Sequence, residues 1–100
     1  MKTDVDQDLA AIGKELGKNL YNSEAWAAKA DVLCSIGMHE IAIRCCDRSL
    51  AINPDNMLTW ITRSIALEKI GEHEEAKAAF AKAKELGGTE LLDVIIGLWQ

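Results

Sequence analysis

Proline and aromatic side chains are scarce in this chain of 100 residues, which has one proline, three tryptophans, one tyrosine and one phenylalanine. Seven glycines complete a thin supply of turn formers. Little of the chain is left for loops or linkers, and most of it must lie in regular structure. Positive charge is sparse too: 11 basic residues face 16 acidic ones, a formal charge of −5, with no block of lysine and arginine. Phosphate binding needs such a block, so nucleic acid is not expected as a partner. Long apolar runs are missing. The most apolar stretch, Leu91 to Trp99, is too short to span a bilayer and contains Asp93, so no membrane partner is expected. The opening residues, Met1 to Asp6, are polar and acidic, unlike a secretory signal or a basic transit peptide. Three cysteines make an odd count, which speaks for a reducing compartment rather than a disulfide framework. The expected location is cytoplasmic.

What is present favours helix. Hydrophobic residues make up 49% of the chain and charged residues 27%, inside the globular range and outside the disordered one. Alanine, leucine, isoleucine, glutamate and lysine dominate, a bias toward helix over strand. A mass of 11.0 kDa suits one domain with one core. Within it the sequence repeats at an offset of 34 residues. Trp26 falls on Trp60, Leu33 on Leu67, Ile36 on Ile70 and Gly37 on Gly71. His39 falls on His73, Glu40 on Glu74 and Ala42 on Ala76. Conservative matches surround these: Ala30 with Ser64, Arg48 with Lys82, Ser49 with Ala83, Ile52 with Leu86. A breaker recurs as well, Asn53-Pro54 in one copy and Gly87-Gly88 in the other.

Each copy reads as two helices. Trp26, Ala30 and Leu33 stand at i, i+4 and i+7, one stripe of a helix that Gly37 ends by taking the left-handed conformation. Ala42, Cys46, Ser49 and Leu50 form the stripe of the next helix, and Asn53-Pro54 stops it. Trp60, Ser64 and Leu67, then Gly71, then Ala76, Phe80 and Ala83 repeat the plan. Small residues at 30, 42, 64 and 76 let paired helix axes approach. This arrangement resembles the tetratricopeptide repeat family over residues 23–88, with Trp26, Ala30, Leu33, Gly37, Ala42, Cys46, Ser49 and Pro54 at the family's positions in the first copy. Trp60, Ser64, Leu67, Gly71, Ala76, Phe80 and Ala83 hold them in the second. Departures are Lys29 and Arg63 in place of a usual leucine, Cys46 for an aromatic, and Gly88 for the proline. The resemblance implies an all-α, right-handed superhelical solenoid of two helix hairpins, at 23–56 and 57–88. Flanking segments 1–22 and 89–100 are expected to be capping helices. The first carries an apolar stripe of Val5, Leu9, Ile12, Leu16 and Leu20 behind a Thr3 cap and ends near Asn19; Thr89 caps the second, which runs through Trp99.

Chemistry finds no foothold. There is no phosphate loop, no Gly-x-Ser-x-Gly and no His-Glu-x-x-His. Cys45 and Cys46 are adjacent, so on a helix they diverge by about 100°. Neither they nor Cys34 have metal-ligand spacing. The cysteines read as packing residues, His39 and His73 as turn neighbours, and no cofactor, metal or catalytic residue is expected. A second face on the helix after Pro54 is more informative. Leu58, Ile61, Thr62 and Ile65, with Glu68 in line, sit beside the core stripe, and the resemblance places them on a concave groove. Ala27 and Asp31 are groove positions of the first copy, with Glu24, Ala28 and Cys34 beside them. The expected partner is a protein or peptide segment, apolar or amphipathic, with basic residues to meet the acids. Some family members grip a C-terminal carboxylate with Lys, Asn and Arg; Ala27, Asp31, Ile61 and Ile65 leave no such clamp here. Ile61 and Ile65 packing against the preceding repeat or a folded-back terminal helix is the structural alternative. A functional alternative is a homodimer through Leu92, Ile95, Ile96 and Trp99.

Overall fold

The computed structural model describes residues 4–87, and they form five helices with no strand among them: α1 Asp4–Lys18, α2 Ser23–Ser35, α3 His39–Ile52, α4 Met57–Lys69 and α5 His73–Gly87. Helices adjacent in sequence pack on one another. α2 pairs with α3, and α4 with α5; α3 also carries α4, and α1 lies on α2. α2 and α4 touch along one side. This is the all-α stack of hairpins that the repeat implies.

Local chemistry sets each boundary. Asn22 and Asn56 cap α2 and α4, their Oδ1 atoms accepting from the Ala25 and Thr59 amides at 3.1 and 3.2 Å. Such a side chain satisfies one of the amides that a helix start leaves free. At the other end Gly37 and Gly71 take φ of 86° and 89°, a region that costs a β-carbon dearly. Their turns let the Met38 and Glu72 amides reach back to the Leu33 and Leu67 carbonyls, both at 2.9 Å, so the chain reverses within a few residues. The recurring tryptophans tie down the preceding loops: the Trp26 and Trp60 indole N–H groups donate to the Leu20 and Pro54 carbonyls, both at 2.8 Å.

The core lies where small side chains face one another. Ala30, Ala42, Cys46 and Ser49 are closed to solvent between α2 and α3, and Ser64, Ala76 and Ala83 are buried between α4 and α5. The two departures from leucine have visible roles. The Lys29 ammonium lies 5.6 Å from the Trp26 ring centre, which also carries the Arg48 guanidinium at 5.1 Å. Arg63 reaches Asp47 of α3 at 2.8 Å and Glu75 of α5 at 3.8 Å, bridging both hairpins.

One expectation needs correction. α1 ends at Lys18, and Leu20 is 63% exposed rather than the last member of the apolar stripe. The cause is Asn19, whose side chain accepts from the Tyr21 amide at 2.9 Å and turns the chain before another helical step is made. Of that stripe only Leu16 is fully buried. α5 is described as far as Gly87, so the expected breaker Gly87-Gly88 lies at the edge of the described residues. The proposed Thr3 cap and everything beyond Gly87 lie outside the described residues.

The close approach at Ala42 makes a direct test. Ala42→Leu is expected to cost about 1–3 kcal/mol, read as a lower urea midpoint with the slope unchanged.

Candidate functional site

The first turns of α2 and α4 run side by side and leave a hollow of ≈ 660 Å³ between them. Six of the seven predicted groove residues line it: Ala27 and Asp31 from α2, and Leu58, Ile61, Thr62 and Ile65 from α4. They play different parts. Leu58 is 65% exposed, the largest apolar surface the hollow offers. Ile61 is only 7% exposed and packs with Ala83, with Met57, Ile65 and Phe80 around them. It forms the floor and binds α4 to α5 at once. The Thr62 hydroxyl donates to the Leu58 carbonyl at 3.1 Å, so its polarity is spent within the helix and its methyl is left for contact.

Glu68 falls elsewhere. It lies on the stripe of Ile61 and Ile65 but one turn further on, where its carboxylate meets His73 Nδ1 at 2.8 Å. The matching pair in the first hairpin is Cys34 and His39, with Sγ 3.7 Å from Nδ1. The recurring histidine thus contacts the helix end across the turn in both copies, and Cys34 too stays outside the hollow. Four further residues complete the lining: Glu24, Ala28, Asn56 and Thr59. Asn56 and Thr59 belong to the capping turn of α4. A sequence signal for that turn exists, since Asn stands four positions before tryptophan in both copies.

Small side chains on α2 make the hollow possible. Where α4 and α5 close their inner edge with Met57, Ile61, Ala83 and Phe80, the same positions of the first hairpin hold Ser23, Ala27, Ser49 and Cys46. Ser23 and Ser49 bond each other there: the Ser23 hydroxyl donates to the Ser49 carbonyl at 3.1 Å, and the Ser49 hydroxyl to the Ser23 carbonyl at 3.0 Å. Half of the lining is apolar, Asn56, Thr59 and Thr62 are its neutral polar members, and Glu24 and Asp31 are its only charged ones. The hollow therefore has a negative rim over an apolar floor. Among the described residues no group of three histidine, cysteine, aspartate or glutamate side chains is placed to hold a metal, and no helix is long and apolar enough to cross a membrane. Leu92, Ile95, Ile96 and Trp99 lie outside the described residues.

Compared with protein-family models, the chain matches the one described as tetratricopeptide repeat, over residues 23–56 and 59–86. The two matches cover well over half of the sequence and coincide with the hairpins α2–α3 and α4–α5. No curated protein matches the chain.

All three thiols are free, and burial pushes each of them up. Cys46 rises furthest, to about 12, with Asp47 the next contribution. Unfolding returns it to the ordinary value of 9.0. Through the window from about pH 9 to 12 the unfolded chain has released a proton that the folded chain keeps. Stability therefore falls as pH rises through that window, by up to about 1.4 kcal/mol per unit. Urea unfolding at stepped pH checks this: Cys46→Ala is expected to have a shallower alkaline decline than the parent chain.

Proposed function

The chain belongs to the tetratricopeptide repeat family, whose repeats serve protein–protein interaction, and we propose that it is a non-catalytic scaffold or adaptor that binds an apolar or amphipathic peptide segment in the hollow between α2 and α4. We assign the two repeats to 23–56 and 57–88, with 1–22 and 89–100 as flanking caps and the cytoplasm as the place of work. The observation that carries this reading is the apolar wall of exposed Leu58 and half-buried Ile65 opposite small Ala27 and Ala28 across an open hollow, rimmed by Glu24 and Asp31. Full burial of a leucine-sized side chain contributes about 1.5–3 kcal/mol, so a few such contacts sustain a micromolar complex. The two acids steer a segment with lysine or arginine beside its apolar residues and disfavour an acidic one.

The alternative is self-association through Leu92, Ile95, Ile96 and Trp99. That stretch is the most apolar in the chain, and an uncovered patch of such a kind marks an interaction site. Trp99→Asp separates the two readings. A mass near 11.0 kDa in light scattering, the same for parent and variant across concentrations, favours the groove. A parent mass near twice that value, lost in Trp99→Asp, favours the dimer.

Selection from a phage-displayed library of random peptides tests the groove directly. Peptides that combine apolar residues with lysine or arginine are expected, and Leu58→Glu or Ala28→Arg should weaken them at least tenfold. Both positions are exposed, so the fold is left intact; Ile61→Glu would instead bury a charge against Ala83 and unfold the hairpin. Selected peptides indifferent to both variants would refute the assignment.

A further inference from the structure

The offset of 34 reaches upstream into α1. Leu16 falls on Leu50 and both are buried. Asn19 falls on Asn53 and each accepts from the amide two residues on, at 2.9 and 3.2 Å. Asn22 falls on Asn56, and both are helix caps. Packing follows the same offset. Leu9 lies against the core of Ala30, Leu33, Ala42 and Cys45, as Ile43 lies against that of Leu67, Ala76 and Ala79. α1 therefore stands to the hairpin α2–α3 as α3 stands to α4–α5. It holds the place of the second helix of a pair.

A second helix buries a face on its own first helix. For α3 that face is Ala42, Cys46 and Ser49, all closed off. Its counterparts on α1 are Asp8, Ile12 and Glu15, of which Asp8 and Glu15 are exposed and Ile12 is half-buried. Next to them is a hollow of ≈ 320 Å³, with Ala11, Ile12, Ala25 and Ala28 as its apolar lining and Glu15 and Glu24 as its charges. No basic side chain lines it. Lys18 comes within 3.7 Å of Glu15, but both are mostly exposed, and such a pair holds weakly.

We propose that this hollow is the seat of a helix supplied by a partner protein, an amphipathic helix with an apolar stripe and with lysine or arginine in its last two turns. The repeat frame gives its direction. Ser23, which begins α2, bonds Ser49, and Glu15 has Ser49's place on α1. The incoming helix so sets its N-terminus, the positive end of its dipole, against a carboxylate. Asp8, in the place of Ala42, meets its later turns and calls for a cation there. This seat is separate from the groove between α2 and α4. Glu24 and Ala28 are a shared wall, while Ala11 and Ile12 belong to the seat alone.

The test is fluorescence anisotropy of a labelled 14-residue peptide of leucine, alanine and lysine against the full chain. Its leucines are at helical spacing and its lysines are confined to the C-terminal half. Saturable binding is expected, weakened at least tenfold by Ala11→Arg and at least threefold by Asp8→Lys. Asp8→Lys should also turn preference toward the peptide with glutamates in place of lysines. Both residues are exposed, so far-UV circular dichroism should stay unchanged. Absence of binding overturns the proposal, as does binding indifferent to both variants. Loss of binding in Leu58→Glu but not in Ala11→Arg moves the peptide to the other groove and overturns it as well. So does a chain mass above one copy that Ala11→Arg restores to one, since the seat then holds a second copy.

Discussion

Everything in this fold depends on how closely two helices of a hairpin can lie. Ala30 against Ala42, and Ser64 against Ala76, put little more than a methyl or hydroxyl group between backbones. That spacing sets the tilt of each pair and with it the line along which α2 and α4 meet. It also needs a reversal that keeps the two helices in register, which Gly37 and Gly71 supply through positive φ. Leu33 and Leu67 fill the core beside these crossings, and Trp26 and Trp60 close over the loops and bond their carbonyls. A chain with five aromatic residues thus builds its helix crossings from alanine, serine and cysteine, with a few leucines and Ile61 beside them, and uses helix proximity where other folds use bulk.

The two hairpins share that frame and differ at its inner edge, and the difference creates the candidate site. In the second, Met57, Ile61, Ala83 and Phe80 pack into an apolar cluster. In the first, the Ser23–Ser49 pair replaces it, with Thr59 of the next helix 3.4 Å from the Ser49 hydroxyl. Hydrogen bonds here leave no buried side-chain nitrogen or oxygen unpartnered among the described residues. The polar seam is thinner than an apolar one, and Ala27 and Asp31 add little volume above it. Space results on the α2 side and a greasy wall on the α4 side. Glu24 and Asp31 then give that space a sign.

The hairpins were legible because each depends on residue types that few other positions accept: tryptophan beside a loop, glycine at a left-handed turn, alanine at a helix crossing. Those recur at one offset and can be counted. The face of Ile61 was legible as an angle on α4, but its depth was not, since that depends on how Met57 and Phe80 close around Ala83. Glu68 shows the same limit along the helix axis: it shares a stripe with Ile65, yet His73 lies within reach and draws it away. The place of α1 was written in Leu16, Asn19 and Asn22. Their matches at 50, 53 and 56 carry no apolar or aromatic period, and so a helix that holds half of a repeat reads as a mere flank.

The central claim is that ligands meet this chain on the side formed by α1, α2 and α4, where small and apolar residues lie under acidic ones. Amide chemical-shift mapping during titration with a basic amphipathic peptide addresses it most directly. The account predicts perturbations concentrated at residues 8–15, 24–31 and 56–65, with α3 and α5 little changed. Perturbations centred on α3 and α5, with those three segments silent, would contradict it.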